Sequence, residues 1–96
     1  MKPAILLVED DSSLGATISE QLESHGYLVT WSKNCAETLE YVKKRSFSLG
    51  ILDVGLPDGD GFTLAQHIEK ESAQPAFPFM FLTAMSNAEH LSLIHI

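Results

Sequence analysis

A single cysteine, Cys35, stands among 96 residues. It excludes an internal disulfide and fits a reducing compartment. No His or second Cys lies near it in the chain, so Cys35 reads as a small residue at a helix start and not as a nucleophile or ligand. Positive charge is scarce. Six Lys and Arg stand against thirteen Asp and Glu, a formal net charge of −7 with His neutral. That balance argues against direct contact with nucleic acid. No long apolar run exists. The N-terminal one covers only residues 4–8 and meets Glu9, Asp10 and Asp11 at once, too short for a signal peptide or a membrane span. A cytoplasmic chain without membrane contact is expected. There is no internal repeat, no low-complexity segment and no linker long enough to divide the chain. The length allows one domain with a modest core.

What is present is an alternation of two periods. Residues 4–8 are continuously apolar, which suits the centre of a parallel sheet covered on both faces. Leu14, Ile18 and Leu22 recur at helical spacing, with Asp11, Ser12 or Ser13 as cap and Gly26 as the stop. Residues 27–32 are rich in strand formers. Asn34 opens a second helix with Glu37 three residues on, and Leu39 and Val42 supply its stripe. Lys43, Lys44 and Arg45 suit the last turn and read as a solvated helix end. Residues 49–54 form a strand that Gly50 weakens. Phe62, Leu64, Ala65 and Ile68 mark a helix starting at Gly61. Residues 72–78 form a loop with two prolines, residues 79–82 an apolar strand, and a helical pattern begins at Met85. The order β-α-β-α-β-α-β predicts an α/β doubly wound parallel sheet with right-handed crossovers.

The stretch that organises the chemistry is Ile51-Leu52-Asp53-Val54-Gly55-Leu56-Pro57-Asp58-Gly59-Asp60-Gly61. A strand stops at Asp53 and passes into a loop of turn residues. A carboxylate at the carboxyl end of a buried strand is costly unless a cation or a reaction needs it. Alone, Asp53 would read as a turn cap. The first strand, however, delivers Glu9 and Asp10 to the same edge of a parallel sheet, and the fourth delivers Thr83. Crowded carboxylates repel unless a cation neutralises them. A hard divalent ion is the natural remedy, and Mg2+ suits carboxylate, carbonyl and water donors. A metal-bound carboxylate beside an open position can accept a phosphoryl group. Thr83 can donate a hydrogen bond to a phosphoryl oxygen. His25, His67, His90 and His95 show no ligand spacing and read as surface or helix-end residues.

Three motifs carry a resemblance: Leu7-Val8-Glu9-Asp10-Asp11, the segment from Asp53 to Gly61, and Leu82-Thr83-Ala84. In this order and spacing they resemble the receiver domain of two-component response regulators, over residues 3–90. The resemblance implies a flavodoxin-like receiver fold with strand order 2-1-3-4, strand 5 and the final helix being missing here. It implies Asp53 as phosphoacceptor, with Mg2+ held by Glu9, Asp10, Asp53 and the backbone carbonyl of Gly55. Thr83 becomes the switch hydroxyl, and a sensor histidine kinase the phosphoryl donor. The loop wording is most similar to regulators with a winged-helix DNA-binding output domain, which is absent from this sequence. A receiver dimer is then expected only of the full-length protein, with no phosphorylation-driven dimerisation by this chain.

The departures are specific. Gly50 replaces a branched apolar residue, and Ser48 stands where the family often has Asp. The family also places a Lys roughly two dozen residues past the Thr, whereas this sequence ends thirteen residues past it (96 − 83). The tail Leu91-Ser92-Leu93-Ile94-His95-Ile96 is also the translation of CTGTCTCTTATACACATC, a transposon end used to fragment DNA. Residues 91–96 are therefore expected to be a non-native tail. Residues 79–82 are expected to be an unpaired edge, and the sheet face beside Leu14, Ile18 and Leu22 to be bare. Three rival readings remain. A phosphatase-like hydrolase with an Asp nucleophile wants a second acid where Gly55 stands, so no enzyme is expected. A calcium loop at residues 58–60 lacks the alternating oxygen ligands and the closing Glu. A receiver-like interaction module without the chemistry, or an inactive fragment, is the alternative the absent Lys favours.

Overall fold

A computed structural model describes residues 2–72, 76–84 and 91–95, with side chains as far as residue 82. The elements in chain order are β1 (Ala4–Val8), α1 (Ser12–Ser24), β2 (Leu28–Ser32), α2 (Cys35–Lys44), β3 (Leu49–Asp53), β4 (Gly55–Leu56), β5 (Gly59–Asp60), α3 (Gly61–Glu71), β6 (Phe79–Ala84) and β7 (Leu91–His95). The main sheet runs β2-β1-β3-β6-β7, and β4 pairs with β5 as a separate hairpin. The first four strands are parallel, which is the expected order 2-1-3-4. The helical pattern read from Met85 lies outside the described residues.

Strand alternation sorts the core into two layers. Leu6 and Val8 of β1 and Leu52 of β3 face α2 and α3, where they join Val42, Leu64, Ala65 and Ile68. Phe47, Phe77, Phe79 and Phe81 complete that layer. Ile5, Leu7, Ile51 and Leu82 point the other way, where Ile18 and Leu22 of α1 pack on them with Trp31. The α1 face is therefore not bare, because one helix and the indole together cover its centre. Phe62 departs from the expected stripe. It is 43% exposed and lies over Phe81 with ring centroids 4.5 Å apart.

The expected open edge at residues 79–82 is also corrected. Strand β7 pairs antiparallel with β6, from Met80 opposite His95 to Ala84 opposite Leu91. Only residues 85–90 separate the two strands, too few for a parallel crossover but enough for an antiparallel return. An uncharged strand with open N–H and C=O groups is the natural template for such pairing. No fifth parallel strand occurs among the described residues. No described helix is long and apolar enough to cross a membrane.

Helix boundaries follow local chemistry. Asp11 caps α1 by accepting the Leu14 N–H at 2.9 Å, and Gly26 ends that helix at φ 91°. Asn34 caps α2 through the Glu37 N–H at 2.9 Å. Gly50 has its own explanation in packing. A Cβ there meets Phe79 Cδ1 at 2.8 Å and Phe77 Cε2 at 3.2 Å. Both rings are buried, so they occupy the space a branched residue would need. Gly50→Val should thus destabilise by about 1–3 kcal/mol through overpacking, in spite of the better strand propensity of Val. Thermal denaturation should show a melting point lower by about 5–15 °C. An unchanged melting point would mean the rings can yield.

Candidate functional site

Glu9 is fixed from the backbone outward. Its N–H donates to the Ser32 carbonyl at 3.0 Å, and its own carbonyl accepts the Trp31 indole N–H at 2.8 Å. Both bonds tie the residue after β1 to the end of β2. The side chain is 2% exposed, and its Oε2 accepts the Asp11 N–H at 3.0 Å. Asp53 closes β3 opposite Leu82 of β6. Its Oδ1 accepts the Gly55 N–H at 3.2 Å. Among the described residues, Glu9, Asp10 and Asp53 form the one group of three potential ligands whose donor atoms lie within 4.8 Å of one another. Glu9 lies at the bottom, Asp53 is half-buried, and Asp10 opens to solvent.

Burial pushes the Glu9 carboxyl up to about 7. The Asp11 N–H opposes that rise, while hydrogen bonding and charge from Asp53, and then hydrogen bonding from Asp10, add to it. Burial first, and then the two neighbouring carboxylates, disfavour its charged form. An all-oxygen set with this much negative charge fits a hard cation such as Mg2+, and offers none of the nitrogen or sulfur donors that zinc prefers.

Asp53 at the end of β3 and the two aspartates that follow it, Asp58 and Asp60, each have a different neighbour in the structure. Asp53 alone joins Glu9 and Asp10. Asp60 caps α3, accepting the Thr63 N–H at 2.8 Å and the Thr63 hydroxyl at 2.9 Å. Those bonds, the backbone one first, hold its carboxyl below the usual range. Asp58 reaches away from the cluster to the start of α2. Its two oxygens accept the Cys35 N–H at 2.9 Å and the Ala36 N–H at 3.3 Å. The Cys35 N–H is the main cause of its lowered pKa. Cys35 is the first residue of α2, as its sequence position suggests. Burial, then Asp58 and Asp60, push its thiol up to about 11, so it is not a poised nucleophile.

Of the other anticipated site residues, Gly55 opens the β4–β5 hairpin opposite Asp60. Thr83 lies in β6, opposite Ser92, and its side chain lies outside the described ones. Two contacts have no counterpart in the sequence reading, the Trp31 indole on the Glu9 carbonyl and the Asp58 carboxylate on the start of α2. Trp31 gives no signal in the sequence beyond strand propensity. Asp58 looks there like one more turn residue, since its partner stands 23 residues away.

The fold agrees with comparisons to known proteins. The chain is 36% identical over 90 residues to the transcriptional regulatory protein RprY of Bacteroides fragilis, covering 94% of this chain and 37% of that protein. It is 38% identical over 87 residues to the swarming motility regulation protein RssB of Serratia marcescens, covering 91% and 39%. The chain thus spans less than two fifths of the length of these curated relatives. Among solved structures, the non-phosphorylated HemR receiver domain of Leptospira biflexa superposes with a TM-score of 0.77 at 46% identity, covering 92% of this chain and 69% of that one. With the family's sequence model matching residues 5–93, this chain belongs to the response regulator receiver domain family.

Proposed function

We propose that this chain accepts a phosphoryl group on Asp53 from a sensor histidine kinase in the cytoplasm. On this reading it thereby controls an output domain outside the chain, one that acts in transcription. The observation that carries the reading is the convergence of Glu9 and Asp10 on Asp53 at the carboxyl edge of the sheet. An Asp53 oxygen attacks the phosphorus of the kinase phosphohistidine. A P–O bond forms as the P–N bond breaks, and the departing imidazole nitrogen keeps the electron pair and takes a proton. Glu9, Asp10 and Asp53 would hold Mg2+, with the Gly55 carbonyl as a further ligand. Bound there, the ion supplies charge neutralisation for the phosphoryl oxygens. Thr83 is the hydroxyl that reads the new phosphoryl group. The chain is on this reading an acceptor and not a turnover enzyme, consistent with Gly55 standing where a hydrolase would carry a second acid.

Acetyl phosphate with Mg2+ tests the reading without the kinase. Intact mass should show one acid-stable, base-labile phosphoryl adduct on the parent and none on Asp53→Asn. An adduct that persists on Asp53→Asn would assign the wrong acceptor. No adduct on a folded parent would favour the interaction-module reading instead.

A further inference from the structure

The bridge from Asp58 to α2 joins parts of the chain that share no strand pairing. Asp58 sits at the turn of the β4–β5 hairpin, between Leu56 and Gly59. That hairpin grows directly from Asp53 through Gly55, whose N–H is bound to the Asp53 carboxylate. At its other end the hairpin runs into α3, where Asp60 caps the helix. The loop is therefore anchored at both ends by bonds near its own sequence. Its tip is held by Asp58, which accepts from the first two N–H groups of α2. Those N–H groups are unsatisfied within any helix and attract an anion. Asn34 already caps the same helix through the Glu37 N–H. Asp58 is thus a second cap, supplied from the acceptor loop.

We infer that Asp58 is a positioning residue for the acidic site: by clasping the start of α2, it holds the hairpin that sets Gly55 and the Asp53 carboxylate. This rests on the proposed phosphoacceptor function. Without the clasp the hairpin samples other positions, and apparent affinity falls with the fraction of loops that remain competent. Gly59 packs close to Cys35, where a Cβ would meet Sγ at 3.2 Å, so the thiol reports on the same contact.

The test compares Asp58→Ala with Asn34→Ala in the full chain. Each removes one cap from the start of α2, but only Asp58→Ala frees the loop. Mg2+ titration by calorimetry should show affinity about five-fold weaker in Asp58→Ala, the factor that losing one cap produces in an equilibrium. Adduct formation from acetyl phosphate should slow to a similar degree. Asn34→Ala should keep parental Mg2+ affinity while losing comparable thermal stability. The rate of Cys35 with a disulfide reagent should rise in Asp58→Ala and not in Asn34→Ala. If Asp58→Ala loses its helical circular dichroism, Asp58→Asn, which keeps one acceptor oxygen, should show a smaller loss of affinity. Parental affinity in a folded Asp58 variant, or equal losses in Asn34→Ala, would reduce Asp58 to an ordinary cap and leave the phosphoacceptor reading intact. A parent that binds no Mg2+ would overturn that reading, and this inference with it.

Discussion

At about pH 8 and without divalent cations, the Glu9→Gln variant is expected to melt about 10 °C above the parent. Glu9 is 2% exposed and its carboxyl is pushed up to about 7, first by burial and then by the carboxylates beside it. The unfolded chain returns it to the ordinary value of 4.5. A carboxyl with a raised folded pKa binds its proton more tightly when folded, so stability is full below the unfolded pKa and is lost as pH rises through the folded one. The whole shift corresponds to about 3 kcal/mol, and water entering on the Asp10 side reduces it to about 2 kcal/mol. Gln keeps an oxygen for the Asp11 N–H and carries no charge, so it escapes the penalty. The gap between variant and parent should close by about pH 4, where Glu9 is neutral in both states. Mg2+ at about a thousandfold over its Kd should add about 4 kcal/mol to the parent by mass action and much less to the variant, inverting the order. Melting curves at the two pH values, with and without Mg2+, check both the gap and its inversion. Equal melting points at about pH 8 would show that the crowding carries no such energy.

The cost at Glu9 also explains why the site is legible at all. Evolution has no packing reason to place a carboxylate against the end of a buried parallel sheet. A strand that runs straight from Val8 into Glu9 and Asp10 therefore announces chemistry, and so does one that stops at Asp53. The two-layer core is equally legible, because Leu6 and Ile5 must face opposite ways on any strand, whereas the strand order is legible only through the resemblance to receiver domains. What could not be read is whatever depends on a neighbour distant in sequence. Gly15 looks like a weak point in α1, yet a Cβ there would strike the Trp31 ring. Asp58 looks like a turn residue, yet it caps a helix 23 residues earlier. The pairing of β7 with β6 is hidden for a different reason, because its partners are near in sequence, with only residues 85–90 between them. Edge pairing leaves almost no periodic signal, since a short apolar segment fits any open edge.

Gly61→Ala is expected to be the most damaging small change in the chain, lowering the rate of adduct formation on Asp53 by about a hundredfold. Gly61 is the first residue of α3 and is buried. Its N–H donates to the Val54 carbonyl at 3.0 Å, which folds the loop back under the end of β3. A Cβ at this position would collide with the Asp53 backbone carbonyl oxygen, with Asp53 C at 3.1 Å and Phe81 Cδ1 at 3.4 Å. Backbone cannot rotate aside as a side chain can. Asp53 is in register with Leu82, and the Val54 N–H is bound to the Leu82 carbonyl at 3.0 Å. Relief therefore requires the end of β3 or the start of α3 to shift by a sizeable part of an ångström. Ala gains about 1 kcal/mol over Gly in a helix, but overpacking against fixed backbone costs about 1–3 kcal/mol, so the net change is destabilising. The larger consequence is at the carboxylate. The collision falls on the residue that must meet Glu9 and Asp10, and displacements near an ångström at a reacting group cost about a hundredfold in rate. The measurement is the initial rate of acetyl phosphate labelling, at a temperature where circular dichroism shows parent and variant equally folded. Gly61→Ser should behave like Gly61→Ala, because the Cβ makes the collision and the hydroxyl beyond it adds nothing to it. A folded Gly61→Ala chain labelled at the parental rate would mean that the end of β3 yields without moving the Asp53 carboxylate.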